Sequence, residues 1–267
     1  MEAVVRHKGR CRPMLAEERK LRILEYIDRE GSVRVADLAE EFIVSTETVR
    51  RYLDELEREQ KLKKVYGGAV RHHEKEEAPI IRRETINIHE KRQIAEQAIE
   101  LIEEGDNIFI DEGTTTLQMA EGLCRFNRIT VMTTSFPLAN KLMETAFQGQ
   151  ILFLGGMVQK EHLRSAGSLT AKMVDELHAD KAFIAGDGID QEFGVSGYDS
   201  DKCVLAKLYM KQSDKVYVLA DYSKVQKRAT FQICAVNQPD SIITDRNPEG
   251  SWTNKNWVVA KERSKLS

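Results

Sequence analysis

Apolar residues recur at spacings of three and four along Leu15, Leu21, Ile23, Leu24 and Ile27, the pattern of a helix with one buried side. This predicts a helix from about Leu15 to Glu30, stopped by Gly31. Ser32 to Val35 reads as a bridge to a second short helix, Ala36 to Phe42, with Leu38, Ala39 and Phe42 inward. Ile43-Val44 makes a tight connection, Ser45 stands at an N-cap position, and a third helix runs to about Glu59. Its apolar residues Val49, Leu53 and Leu56 fall at i, i+4 and i+7, one buried stripe. Lys61 to Val70 reads as two short strands around a Gly67-Gly68 turn. Three helices followed by a basic hairpin describe a winged helix-turn-helix.

The pattern then changes. Residues 71–87 are charged, contain Pro79 and show no period. A helix is expected from about His89 to Glu104, ending at Gly105-Asp106. Short apolar runs follow at Ile108–Ile110, Ile129–Met132, Ile151–Leu154, Ala182–Ala185, Val216–Leu219 and Ile242–Ile243. Helical stretches fall between most of them, at Thr115–Cys124, Pro137–Ala146, Leu169–His178 and Asp201–Lys211. Alternation of buried strands with helices implies an α/β fold, a mainly parallel, Rossmann-like sheet covered on both faces. Trp257-Val258-Val259 is a candidate final strand. The resulting division is a 1–13 extension, a 14–73 winged helix-turn-helix, a 74–88 linker and an 89–267 effector-sensing α/β domain, with Met14 as an alternative start.

Composition narrows the class. Hydrophobic residues make up 41% and charged residues 31%, which excludes a disordered chain. No apolar run approaches the ~18–20 residues that span a bilayer, and the basic N-terminus lacks the apolar core of a secretory signal. Cys11, Cys124, Cys203 and Cys234 are scattered without a CxxC pair, so a cytoplasmic protein with reduced thiols and no zinc knuckle is expected. Residues 1–73 hold 16 Lys/Arg against 14 Asp/Glu, whereas residues 74–267 hold 24 against 29. The positive excess concentrates between Arg50 and Arg71, where seven basic residues face four acidic ones. Local positive charge suits a phosphate backbone, although a solvated helix face shows the same composition.

The third helix is the candidate for a DNA major groove. Its buried stripe leaves Glu47, Thr48, Arg50, Arg51, Asp54 and Arg58 outward, and the first turns of a recognition helix contact base edges. Ser45, Thr46, Thr48, Arg50 and Arg51 are the expected contacts, with Ser45 alternatively a simple cap. Arginine can donate two parallel bonds to a guanine edge or clamp a phosphate. The wing adds Lys63, Lys64, Tyr66, Gly67 and Gly68, the glycines allowing close approach of backbone to the sugar-phosphate surface.

A second candidate site lies at the strand ends. The run Asp111-Glu112-Gly113-Thr114-Thr115-Thr116 joins a strand to a helix, an arrangement that offers N–H groups and hydroxyls to an anion. The same chemistry recurs at Thr134-Ser135, Gly155-Gly156, Gly186-Asp187-Gly188-Ile189-Asp190 and Asp221-Tyr222-Ser223-Lys224. In open parallel sheets a ligand lies beyond the C-terminal strand ends, so a polyol phosphate fits: Thr and Ser for phosphate, Lys224 to neutralise it, Asp111 and Asp187 for hydroxyls. Gly186-Asp187-Gly188 is not a dinucleotide fingerprint, because Gln191 stands at the third glycine position. His72-His73 and His162 read as surface residues, no metal or other cofactor is indicated, and no Gly-x-Ser-x-Gly elbow is present.

From Arg19 to Ala69 the chain resembles the N-terminal domain of the DeoR family of bacterial repressors. The likeness rests on Glu18-Arg19, Ile23-Leu24, Val35-Ala36-Asp37-Leu38-Ala39, Phe42, Val44-Ser45, Thr48-Val49-Arg50-Arg51, Leu53, Leu56 and Gly67-Gly68-Ala69. Residues 75–245 resemble the DeoR-type sensor domain, related to ribose-5-phosphate isomerase, through Asp111, Gly113-Thr114-Thr115, Thr134-Ser135, Gly155-Gly156, Gly167, Asp187 to Asp190, Lys207, Met210 and Asp221 to Lys224. The resemblance implies a phosphorylated sugar effector whose binding lowers operator affinity, and it adds Lys207 to the expected effector residues. Five positions depart from the family pattern. Tyr52 replaces an Asp that would orient the Arg pair, which bears on operator preference, and Tyr66 replaces a His. Lys202-Cys203 replaces acidic residues that would contact hydroxyls, and Glu112 replaces Ser or Asp.

The expected function is a DNA-binding transcriptional regulator, a repressor of a sugar-metabolism operon that acts as a homodimer or homotetramer on double-stranded operator DNA and touches no membrane. The competing reading is a sugar-phosphate isomerase using Asp187, Asp190 and Lys224 as base and electrophile. Activation in place of repression depends on operator placement and is not written in the chain.

Overall fold

The computed structural model describes residues 15–30, 32–59, 61–65, 67–71, 83–248, 252 and 256–261. The 1–13 extension, Met14, Gly31, Tyr66, His72-His73, most of the 74–88 segment and the last six residues lie outside the described residues. The chain divides into two compact units, residues 1–74 and 75–267.

The first unit contains α1 (Ala16–Glu30), β1 (Ser32–Arg34), α2 (Val35–Glu41), α3 (Thr46–Arg58), β2 (Leu62–Val65) and β3 (Gly68–Arg71). The expected bridge at Ser32 to Val35 is a strand. It adds antiparallel to β3, giving the order β1-β3-β2. Ile23, Ile27, Leu38, Phe42, Val49, Tyr52, Leu53, Leu56, Leu62 and Ala69 close one core. The expected α3 stripe is present, and Tyr52 joins it.

Between α2 and α3 the chain turns at Ile43, which takes φ 53° and is 91% exposed. Left-handed backbone after a helix normally belongs to glycine, because a β-branched side chain crowds its own carbonyl there. Ile43→Gly is therefore expected to stabilise the first unit by about 1 kcal/mol, read as a raised denaturation midpoint at unchanged slope.

The second unit contains α4 (Ile88–Ile99), β4 (Asn107–Ile110), a 3-10 turn (Thr116–Met119), α5 (Ala120–Leu123), β5 (Thr130–Thr133), α6 (Phe136–Glu144), β6 (Gln150–Phe153), β7 (Met157–Gln159), β8 (Arg164–Ala166) and α7 (Ser168–Asp175). It continues through β9 (Ala179–Ala185), β10 (Gly188–Asp190), β11 (Gly194–Gly197), α8 (Ser200–Lys211), β12 (Ser213–Leu219), a second 3-10 turn (Tyr222–Lys224), β13 (Phe231–Cys234), β14 (Ser241–Thr244) and β15 (Trp257–Val259). Seven strands form a parallel sheet in the order β15-β14-β12-β9-β4-β5-β6.

The strands read as unbroken apolar runs because both faces are covered. Phe109, Ala182, Ile184, Val218 and Ile242 face a core shared with Val174, Leu205, Ala206 and Tyr209. The residues between them, Ile108, Ile110, Phe183, Tyr217, Leu219 and Ile243, face a core shared with Ile94, Ala98, Leu123, Leu138 and Leu142. Among the described residues no helix is long and apolar enough to cross a membrane.

Three features differ from expectation. The helix after β4 does not begin at Thr115. The Thr116 hydroxyl donates to Asp111 O (2.7 Å) and Gly113 O (3.0 Å), which folds the loop back and leaves a 3-10 turn before α5. The helix expected to reach Glu104 ends at Ile99. Finally, β10, β11 and β13 form a small antiparallel sheet, and β7 and β8 form a ribbon. These strands have three or four residues each, too few for a period to show.

Candidate functional site

On the first unit, the Ser45 side chain accepts from Thr48 N (3.2 Å) and meets the Thr48 hydroxyl at 2.9 Å. Ser45 thus caps α3 and aims the helix start. Thr46, Arg50 and Arg51 are exposed. Glu47 lies 3.6 Å from the Arg50 guanidinium, while Arg51 lies 5.7 Å from the Tyr52 ring centre.

Two wing residues have structural work to do. Lys64 pairs with Asp54 of α3, and its N–H donates to Glu57 (2.8 Å), so the wing is fastened to the helix. A Cβ on Gly68 would collide with the Val33 carbonyl, so this glycine permits the β1–β3 pairing. Gly67 takes φ 79°, the turn geometry that favours glycine. Lys63 is exposed. Tyr52 is buried and accepts a bond from Arg19 (3.2 Å), so it packs α1 against α3, while its ring stands 5.7 Å from the Arg51 guanidinium.

On the second unit the sheet order reverses direction between β4 and β9. Crevices at such switch points lie beyond the carboxyl ends of the strands, where connections leave to opposite sides. Asp111 ends β4 and spans this crevice, taking the Ala185 N–H at 3.2 Å. Burial pushes its carboxyl up to about 6, against the opposing pull of Lys202 and Arg164.

Asp187 ends β9. Burial alone would raise its carboxyl, but Lys202, Arg83 and Lys224 outweigh that and hold it below the usual range. Lys202 Nζ lies 2.9 Å away, buried to 1% exposure. Glu112, next in the crevice, pairs with Arg164, which is fully buried, reaches Asp199 at 2.5 Å and donates through Nε to Gln159 (2.8 Å). Two of the family departures, Glu112 and Lys202, thus each make a buried ion pair. Thr114 and Thr115, which follow Asp111 past the end of β4, are buried, and among the described residues their hydroxyls enter no hydrogen bond.

The remaining expected residues divide. Thr134 and Ser135 end β5, beside β4; Ser135 caps α6 through Leu138 N (3.3 Å), and Thr134 is buried near Tyr209, whose phenol burial pushes up. Gly113 backs onto the Ala185 methyl group, and Gly188 packs under the Lys227 carbonyl. Asp190 is committed to a hairpin: one oxygen takes Glu192 N (3.0 Å), Phe193 N (2.8 Å) and Arg228 (2.9 Å). Gly155 and Gly156 end the edge strand, two strand positions or about 10 Å from β4. They seat Thr170, whose hydroxyl donates to Gly155 O (2.8 Å). Lys207 is exposed on α8 next to Cys234, whose thiol is pushed up to about 12 mainly by burial. Lys224 belongs to the crevice, since its charge acts on Asp187. Sequence reasoning missed Lys202, Arg164, Arg83 and Lys91. Lys91 carried a signal, a charge on the stripe of Ile94, Ala95 and Ala98.

A family model for the DeoR-like helix-turn-helix domain matches residues 19–75, and one for the DeoR C-terminal sensor domain matches residues 86–246. The chain belongs to the DeoR family. This DeoR-family chain is 34% identical over 233 residues to YulB of Bacillus subtilis (strain 168), named an uncharacterized HTH-type transcriptional regulator, covering 87% of this chain and 90% of that one. It is 29% identical over 228 residues to the lactose phosphotransferase system repressor of Staphylococcus epidermidis, covering 84% and 90%. Ribose 5-phosphate isomerase A of Methanocaldococcus jannaschii aligns over 53% of this chain and 56% of its own at 18% identity and a TM-score of 0.38, too slight a likeness to transfer chemistry. The chain is a DNA-binding transcriptional regulator with a DeoR-type sensor domain.

Because Asp111 is held above the ordinary aspartate value, folding binds a proton there that the unfolded chain gives up near 4. Stability falls as pH rises from about 4 to about 6 and the loss is complete above that. Asp111→Asn is expected to stabilise the protein by on the order of 2 kcal/mol at pH 7 and much less at pH 4, measured by denaturant unfolding at both values.

Proposed function

We propose that this regulator represses a sugar-metabolism operon and leaves its operator when a phosphorylated sugar fills the β4–β9 crevice. The first unit grips DNA through Thr46, Thr48, Arg50, Arg51 and Lys63, with the segment near 74–88 linking it to the sensor. The observation that carries the effector reading is the crevice itself, where Thr114 and Thr115 follow Asp111 past the end of β4 and the charges of Lys224 and Arg83 act on Asp187 past the end of β9. The named sugar repressor among the relatives supports the same reading.

The site senses and does not catalyse. Asp187 is tied to Lys202 and Asp190 to a hairpin, so neither is placed as a free base. The protein works in the cytoplasm, where its DNA is, as a homodimer or homotetramer matching a two-fold operator.

A thermal-shift screen of sugar phosphates tests the effector reading. A ligand at 100 times its Kd adds about 2.7 kcal/mol, so one member of the panel is expected to raise the unfolding temperature while its unphosphorylated sugar does not. A panel with no active member sinks the effector reading.

A further inference from the structure

The seven-stranded sheet ends at β6, which among the described residues pairs with β5 alone. Gln150 and Leu154 donate their N–H groups inward, to Ile129 O and Thr133 O, both at 2.9 Å. Backbone groups alternate in direction along a strand, so Ile151 and Phe153 turn their N–H and C=O groups outward, where no further strand is paired.

Such an edge is a template for another strand, and proteins blunt it with lysine, proline or a bulge. The opposite edge follows that rule: β15 has three residues, with Lys255 shortly before it and Lys261 shortly after. The β6 edge does not. Thr145 to Gln159 holds no charged residue and no proline, the longest uncharged run in a chain that is 31% charged. Ile151, Leu152 and Phe153 are half-buried. Exposed apolar side chains flank them, Met143 on the helix that leads into β6 and Met157 and Val158 on the strand that follows it. An apolar edge without a guarding charge is a surface built to be covered.

The chemistry of the edge selects its occupant. The longer segments outside the described residues, 1–14, 72–82 and 262–267, are rich in charge and do not match it. A second copy of the same edge does match, since β6 carries nothing that repels itself. A strand paired antiparallel with its own copy is two-fold symmetric, the symmetry of an isologous dimer.

We propose that β6 of one copy pairs antiparallel with β6 of a second, joining two sensor units into one continuous sheet. In the register that engages both outward residues, Ile151 exchanges N–H···O=C bonds with the partner's Phe153. Leu152 then faces the partner's Leu152 across the two-fold. The inference rests on the reading of the protein as a homo-oligomer and adds the face through which two copies meet.

The test uses the full chain. Sedimentation velocity at micromolar concentration reads the mass of the wild type and of Leu152→Lys. The lysine sets two ammonium groups against each other at the two-fold and should weaken this association at least about tenfold. Leu152→Cys should give a covalent dimer under mild oxidation, because directly opposed residues of a non-hydrogen-bonded pair have Cα atoms ~4.5 Å apart, within disulfide range. Gln150→Cys is the control: in this register its Cα lies more than about 13 Å from its own copy, so it should not cross-link. Denaturant unfolding checks that each variant folds; if Leu152→Lys does not, Leu152→Cys and its control carry the test. A wild-type oligomer whose association Leu152→Lys leaves unchanged, or whose Leu152→Cys form does not cross-link, overturns this inference alone. Cross-linking of Gln150→Cys as readily as Leu152→Cys overturns it as well. A Leu152→Cys thiol that joins Cys11 of its own chain puts the 1–14 segment on the edge and has the same consequence. A wild type that stays monomeric at the concentration where it binds operator overturns the homo-oligomer reading together with it.

Discussion

Arg164→Met is expected to destabilise the sensor unit by roughly 3–5 kcal/mol, the cost of leaving the buried Glu112 carboxylate without its cation. The guanidinium is fully buried and faces Glu112 on one side and Asp199 on the other. The two acids pull the guanidinium's pKa upward against burial, which is the largest single influence on it. Methionine fills much of the volume, so the loss is electrostatic and not a cavity. At ~2–4 °C per kcal/mol for a unit of this size, the unfolding temperature should drop by roughly 6–20 °C. Adding Glu112→Gln removes one stranded charge and should return a good part of the loss. An Arg164→Met protein within about 0.5 kcal/mol of wild type would show that water or rearrangement already satisfies the pair.

Arg51→Ala is expected to weaken operator binding by about 1–3 kcal/mol, roughly 5–150-fold. Arg51 carries more weight than Arg50 because Glu47 lies 3.6 Å from the Arg50 guanidinium and cancels part of its charge, whereas among the described residues Arg51 has only the Tyr52 ring beside it at 5.7 Å. Two measurements separate its roles. If Arg51 reads a base, specificity relaxes at one operator position. If it neutralises a phosphate, binding falls on all sequences alike and the slope of log affinity against log salt shrinks by about 1. Unaltered affinity on every DNA would remove α3 from the major groove.

Much of this was legible in the chain because the relevant signals are local. The α3 stripe, the Ser45 cap and the unbroken strand runs each follow from spacing within a few residues. The parts that were not legible depend on residues far apart. Nothing near Glu112 announces Arg164, fifty-two positions away, and nothing near Asp187 announces that Lys202 folds over it. The departure at Lys202 suggests a lost hydroxyl contact and the one at Glu112 a simple replacement, yet each side chain brings its own buried partner. The sequence likewise does not announce that the missing side chain of Gly68 makes room for the neighbouring strand at Val33. The pattern after β4 predicts a helix from Thr115, whereas the Thr116 hydroxyl closes the loop on Asp111 and Gly113. Strands of three residues, such as β1 and β8, are made by pairing and leave no periodic trace.

Fluorescence anisotropy of an operator fragment, selected from genomic DNA by the protein itself, reads both halves of the account at once. Adding the stabilising sugar phosphate to the preformed complex is expected to release the DNA with a shift in affinity of about 5–150-fold, and the unphosphorylated sugar should leave the complex intact. Tight ligand binding with no change in operator affinity would contradict the account, because a ligand that favours neither state moves nothing.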